Sequence, residues 1–290
     1  MFQGQYFSGV PSILRGAQSV LSGDDSAFRL LSLDTTAPTL SEALARQGAA
    51  FESVLRDRLS GVLVYAIGGA HCGPWIRQIL DRGIPIVMVD SYIPNMPTDF
   101  VGVDDLAAAR DLTKYLISLG HRRIAHVALQ EPTTTTARRM EGYLQALTRS
   151  RIPPAPELVY SIGWTTPRAA SIEDAAAHFL SLPAPPTAIF AHNDVNAHAL
   201  VACLEQRGIS VPKQISVCGF DNLDRFSPRP SRLTTVHIPF ERIGEMAAEL
   251  LLERVSDPSS QRIPRQVMLP ASLVISSSTA PPPDRARNQN

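Results

Sequence analysis

Six side chains able to grip a hydroxylated molecule stand just past the ends of apolar runs: Asp90, Trp164, Asn193, Asp194, Asp221 and Asn222. A carboxylate accepts hydroxyl hydrogen bonds well. An asparagine amide donates and accepts at once. A tryptophan ring covers the C–H face of a sugar and leaves its hydroxyl rim free. The set therefore suits a polar cleft for a neutral polyol, rich in donors and acceptors and poor in fixed positive charge.

No comparably ordered set points to a reaction. The stretch Gly68–Gly73, "GGAHCG", is glycine-rich but lacks the GK[ST] of a phosphate loop. GxGxxG and the GxSxG nucleophile elbow are both absent from the sequence. His121 and His126 fall on a turn and a strand, and His192 and His198 straddle a helix start, so neither pair is spaced to share a metal. Cys218, inside an apolar run, reads as a small core residue. We expect no enzyme activity, no cofactor and no metal.

The groups that must be positioned hang on a repeating frame. Short continuous apolar runs at Phe28–Leu33, Gly61–Ile67, Ile84–Val89, Ile124–Leu129, Leu158–Ile162, Thr187–Ala191 and Ile215–Phe220 read as strands buried on both faces. Helical patterns separate them. Leu44, Phe51, Val54 and Leu55 share one helical face, and so do Leu112, Tyr115, Leu116 and Leu119. Asp104 or Asp105 is placed to cap the second of these helices. Asn193 or Asp194 is placed to cap a helix running to Arg207. Repeated βα units of this kind give a doubly wound parallel sheet, whose ligands bind at the carboxyl ends of the strands.

Length and composition agree. At 290 residues the chain fits two domains or one bilobed one, and 44% apolar residues can fill a sizeable core. Lys plus Arg and Asp plus Glu are both 27, giving no basic surplus for nucleic acid. Three scattered cysteines make neither a disulfide framework nor a zinc clamp. No apolar run is long enough to span a membrane, and Met1–Pro11 does not read as a secretory signal. A cytoplasmic setting with no membrane partner is the expectation.

From about Gly61 to Thr279 the chain resembles the effector-binding core of the lactose-repressor/galactose-repressor (LacI/GalR) family of bacterial transcription regulators. Ordered motifs carry the resemblance: "LISLGHRRIAHV" at Leu116–Val127, "RMEGY" at Arg139–Tyr143, "AIFAHNDVNAHAL" at Ala188–Leu200, "GISVPKQISVCGFDN" at Gly208–Asn222, "LTTVHIPFERIGEMAAELL" at Leu233–Leu251 and "LPASLVISSST" ending at Thr279. The resemblance implies two Rossmann-like subdomains of the type I periplasmic-binding-protein kind. The first would take residues 1–101 and 237–271, and the second 102–236 and 272–279. Residues 280–290, with their run of prolines, read as a disordered tail.

The same resemblance implies the effector-binding residues. Arg139 matches the family arginine that hydrogen-bonds effector oxygens, and Asp221 the effector-binding aspartate. Asn193 matches the asparagine of "ND", and Trp164 the aromatic laid against a sugar face. Asp90 and Phe240 match less discriminating positions. Val10, Pro11 and Leu14 fall near a loop lining the cleft in relatives. The implied effector is a sugar or phosphosugar, with purines and nucleosides as alternatives. A homodimer is implied, with the helices around Ile76–Leu80 and Ile243–Leu252 as candidate contacts. Operator DNA would be met only through a helix-turn-helix that this sequence lacks. The sequence also starts past the family's first strand, so an N-subdomain sheet edge with unpaired backbone groups is expected. A sugar-binding receptor of a transport system shares the fold and is the alternative reading.

Overall fold

The apolar runs become the strands of two parallel sheets. The computed structural model describes residues 9–21, 29–32, 39–57, 59–66, 69–130, 133–163, 168–223, 232–257 and 263–283. The chain divides into two compact units. One comprises Met1–Asp104, Glu131–Thr135 and Pro239–Pro270, and the other Asp105–Gln130, Thr136–Ile238 and Ala271–Asn290.

In unit 1, strands β1 (Arg29–Ser32), β2 (Val62–Tyr65), β3 (Ile86–Val89), β4 (Asp99–Val103) and β10 (Gln266–Leu269) lie side by side in the order β1-β2-β3-β4-β10. All pairings are parallel. Helices α2 (Leu40–Asp57) and α3 (Gly73–Asp81) bury Phe51, Val54, Ile76 and Ile79 against Val62, Val64, Ile86 and Met88. Each such fully buried side chain contributes about 1.5–3 kcal/mol. On α3, a candidate for dimer contacts, Ile76 and Ile79 face the interior of the unit. The same holds for α8 (Phe240–Ser256), whose Ile243, Ala247, Ala248 and Leu251 are buried. Strand β1 runs in register with β2, from Arg29↔Val62 to Ser32↔Tyr65, and is itself an edge strand of the sheet.

Helix α1 (Val10–Leu21) packs on α8 with the two backbones in contact. A Cβ at Gly16 would meet the carbonyl oxygen of Glu241, and one at Gly244 the carbonyl oxygen of Ile13. Val10, Pro11 and Leu14, expected near a cleft-lining loop, form the first turns of α1. Leu14 stays exposed while Ile13 and Ala17 are buried.

Unit 2 holds β5 (Ile124–Leu129), β6 (Val159–Ile162), β7 (Ala188–Ala191) and β8 (Ser216–Cys218) in the order β6-β5-β7-β8, all parallel. Helices α6 (Arg168–Ser181) and α7 (Asp194–Gln206) cover one face through Ile172, Phe179, Leu200 and Leu204. Helices α4 (Asp105–Ser118) and α5 (Thr134–Arg149) bring Leu112, Leu116, Tyr143 and Leu147 into the unit's interior. Strands β9 (Thr235–His237) and β11 (Ser272–Val274) form a small antiparallel pair.

Two expected boundaries move. Glu131–Thr135 sides with unit 1, where Thr134 Oγ1 accepts the N–H of Tyr92 at 3.1 Å and lies 3.1 Å from Ser91 Oγ. The tail does not begin at Ala280. Ala280 N–H donates to Ser216 Oγ at 3.0 Å, and its carbonyl accepts from His121 Nε2 at 2.9 Å. Just before it, Ser278 Oγ donates to the carbonyl of Val217 at 2.6 Å, and Val217 N–H donates to the carbonyl of Ser278 at 2.9 Å. The segment Ser278–Ala280 thus lies along β8 and satisfies its outer edge.

Candidate functional site

In unit 2 a buried charge cluster forms where β7 and β8 end. Asp221 follows β8 and is fixed by its amide, which donates to the carbonyl of Val236 at 2.8 Å. Its φ of 103° is a left-handed conformation rare for a residue with a side chain. Such strain costs on the order of 1–3 kcal/mol and collects at functional sites. Arg139 reaches it from α5. Gly142, one turn further on, lets α5 approach α4 backbone to backbone, since a Cβ there would meet the carbonyl oxygen of Leu106. That approach sets Arg139 beside Asp105, the first residue of α4.

Arg139 is 3% exposed. Its Nε donates to Asp105 Oδ1 at 2.8 Å and its Nη1 to the carbonyl of His192 at 2.9 Å. Its Nη2 lies 3.0 Å from Asp221 Oδ1. The guanidinium also sits 3.9 Å above the centre of the Phe220 ring. The Arg139–Asp221 contact is an ion pair outside hydrogen-bond alignment, so the buried Oδ1 of Asp221 has no hydrogen bond among the described residues. A buried acceptor left in that state calls for an occupant or a role.

The neighbouring residues are spent on the frame. Asn193 caps α7, its Oδ1 accepting from the N–H of Asn196 at 3.0 Å. The cap uses the acceptor and leaves the amide donor out of it. Asp194 Oδ1 accepts the Thr235 hydroxyl at 2.6 Å and its Oδ2 the N–H of Leu223 at 2.9 Å. That side chain ties the start of α7 to β9 and to the loop after Asp221.

Of the other expected residues, Asp90 and Phe240 belong to unit 1. Asp90 ends β3, is buried, and has a φ of 62°, with its amide donating to the carbonyl of Val101 at 3.0 Å. Phe240 opens α8 and is buried, its ring so close over Gly9 that a Cβ there would meet it. Trp164 lies outside the described residues. Sequence reasoning missed the part played by Asp105, His192 and Phe220. Asp105 was visible only as a possible cap, and His192 acts through its backbone, which no side-chain pattern reveals.

His121 and His126 are neutral core groups. Burial lowers His126 to about 4; its Nδ1 donates to the carbonyl of Phe190 at 2.9 Å and its ring stacks on Tyr143. Burial also lowers His121 to about 4, against the bond its Nε2 makes to Ala280. Among the described residues, no group of three or more His, Cys, Asp or Glu is arranged to hold a metal ion.

Burial pushes Asp221 up to about 7, against the pull of Arg139 and with help from Asp194 and Asp105. The folded protein therefore holds this proton above the pH at which the unfolded chain, near 3.8, has released it. Through this group alone, stability falls as pH rises from about 4 to about 7. His121 and His126 act oppositely: the unfolded chain takes up protons below 6.5 that the fold refuses down to about 4. Their contribution is lost as pH falls through that window. Asp221→Asn removes only the first effect, so its stability relative to wild type should grow between pH 4 and 7. Urea unfolding of both proteins across that range measures this, and a constant difference would refute it.

Comparison with known proteins places these residues in a wider setting. A family model described as a periplasmic binding protein-like domain matches residues 113–279. The arabinose metabolism transcriptional repressor of Geobacillus stearothermophilus is 30% identical over 278 residues, 93% of this chain and 72% of that protein. The HTH-type transcriptional repressor CytR of Escherichia coli (strain K12) is 35% identical over 171 residues, 59% of this chain. That match spans about half of CytR, 49% of its length. Among solved structures, a LacI family transcriptional regulator from Enterococcus faecium with bound ribose superposes with a TM-score of 0.77 at 25% identity, covering 94% of each chain.

Proposed function

Because the chain belongs to the LacI/GalR family of transcription regulators, we propose that it is the effector-sensing core of such a regulator and that Asp221 is the main acceptor for the effector. One observation carries the assignment to this site: a buried, conformationally strained carboxylate past β8, ion-paired to Arg139, with an oxygen lacking a hydrogen bond among the described residues. A hydroxylated molecule supplies the missing donors. The ribose bound in the E. faecium relative favours a sugar or a sugar-bearing molecule here. In this reading the protein binds its effector and does not turn it over. The signal is a difference in effector affinity between two states of the regulator, since a ligand shifts an equilibrium only by that difference. In a full-length regulator the states would differ in operator binding, through a DNA-binding head and a second copy of the chain.

The test is a thermal-shift screen against pentoses, hexoses, disaccharides and nucleosides. A true effector raises the melting temperature with concentration, worth about 2.7 kcal/mol at a hundred times its dissociation constant. Asp221→Asn should abolish that rise while keeping the cooperative transition. A rise of full size in Asp221→Asn would remove Asp221 from the site.

A further inference from the structure

We infer that Asp194 is the positioning residue for Asp221: it clamps the strained turn from both ends and keeps the acceptor where an effector can meet it. The inference deepens the reading of Asp221 as effector acceptor and rests on it.

Two consecutive residues, Asp221 and Asn222, are left-handed, with φ of 103° and 54°. Such a pair persists only where its surroundings over-determine it. Asp194, the first residue of α7, touches the chain on either side of the pair. Its N–H donates to the carbonyl of Phe220 at 2.9 Å, one residue before. Its Oδ2 accepts the N–H of Leu223 at 2.9 Å, one residue after. Its Oδ1 is aimed by the Thr235 hydroxyl, which donates to it at 2.6 Å. Thr235 precedes Val236, whose carbonyl takes the Asp221 amide. The turn is thus fastened to β9 twice, through its own backbone and through one carboxylate.

Side-chain chemistry and space both suit that task. A carboxylate accepts hydrogen bonds on both oxygens, and the N-terminus of a helix favours its charge. Asp194 is only 2% exposed, so water competes little for either oxygen. Gly219 leaves the room it needs, since a Cβ there would meet Asp194 Oδ1. The role exceeds the helix cap that Asp194 suggests in the sequence. It requires no contact with an effector, because Asp194 acts through Asp221.

Amide hydrogen exchange resolved to single residues tests the clamp without any ligand. The informative amide is that of Asp221, whose own bond to Val236 the substitutions leave in place. In Asp194→Ala it should exchange at least about tenfold faster, with the amides of β5 and β7 unchanged. Thr235→Val keeps the carboxylate and removes the hydroxyl that aims it, and should speed the same amide. Thr235→Ser should restore the wild-type rate. Should Asp194→Ala fail to fold, the two Thr235 variants decide the matter alone. An Asp221 amide as slow as in wild type in Thr235→Val would overturn the clamp. So would Thr235→Ser exchanging as fast as Thr235→Val, or a uniform rise through β5 and β7. Any pentose, hexose, disaccharide or nucleoside that stabilises the wild type should bind Thr235→Val at least about tenfold more weakly, because less of the protein holds the competent turn. Unchanged affinity there would refute the positioning role and leave the site itself standing. If none of those compounds stabilises the wild type, the ligand-site reading fails while the exchange rates still judge the clamp.

Discussion

Arg254→Ala is expected to destabilise unit 1 by about 3–5 kcal/mol, a large share of the ~5–15 kcal/mol that holds a typical protein folded. Arg254 is 2% exposed at the end of α8. Its Nε donates to Asp99 Oδ2 at 2.8 Å and its Nη2 to Asp99 Oδ1 at 2.9 Å. The same Nη2 donates to the carbonyl of Ile263 at 2.9 Å, and Arg265 N–H donates to Asp99 Oδ1 at 2.7 Å. The pair therefore joins α8, β4 and the approach to β10. Breaking it from one side strands a buried carboxylate, which costs far more than the intact pair contributes. Urea unfolding followed by circular dichroism would show the loss. An unchanged midpoint would mean that Asp99 reaches water more easily than its burial implies. Replacing both partners by apolar residues of similar volume should cost much less, which separates the stranded charge from lost packing.

Gly244→Ala is the second large effect, and its cause is steric. The added methyl group would overlap the carbonyl oxygen of Ile13, which is backbone and cannot swing aside. Helices α1 and α8 must separate, exposing Ile13 and Ala17, both now buried. Overpacking of this kind costs about 1–3 kcal/mol where side chains give way, and the upper end or beyond is expected here. In an exposed helix the same change would instead gain up to about 1 kcal/mol, because alanine is the better helix former. The sign of the measured change is thus the test. Gly16→Ala should behave alike, since its methyl group would meet the carbonyl of Glu241. Stabilisation by either change would show that the two helices do not touch.

How much of this was legible in sequence follows from what each element asks of its residues. Strands β2, β3, β5, β7 and β8 are buried runs covered on both faces, and such runs stand out. Strand β4 hid because its buried Asp99 and Gly102 interrupt the pattern. Asp99 is tolerated there only through Arg254, a partner 155 residues away. Strands β10 and β11 are short and half-exposed, so no run marks them. The Arg139–Asp221 pair was reached by resemblance to a family and not by spacing, since α5 and the end of β8 meet only in three dimensions. Its second carboxylate, Asp105, read locally as a helix cap. Phe240 suited a ligand and a core alike, and its place over Gly9 shows only in three dimensions.

The strap from Ser278 to Ala280 along β8 bears on how the molecule is made. Unit 1 receives its last strand, β10, from residues 266–269, and unit 2 receives its last edge from residues 278–280. Until residues 266–280 have left the ribosome, neither unit can reach its finished form. Domains often fold in turn as they emerge, first the leading one and then the next. In this polypeptide the two halves are completed almost together, by neighbouring stretches of one short segment.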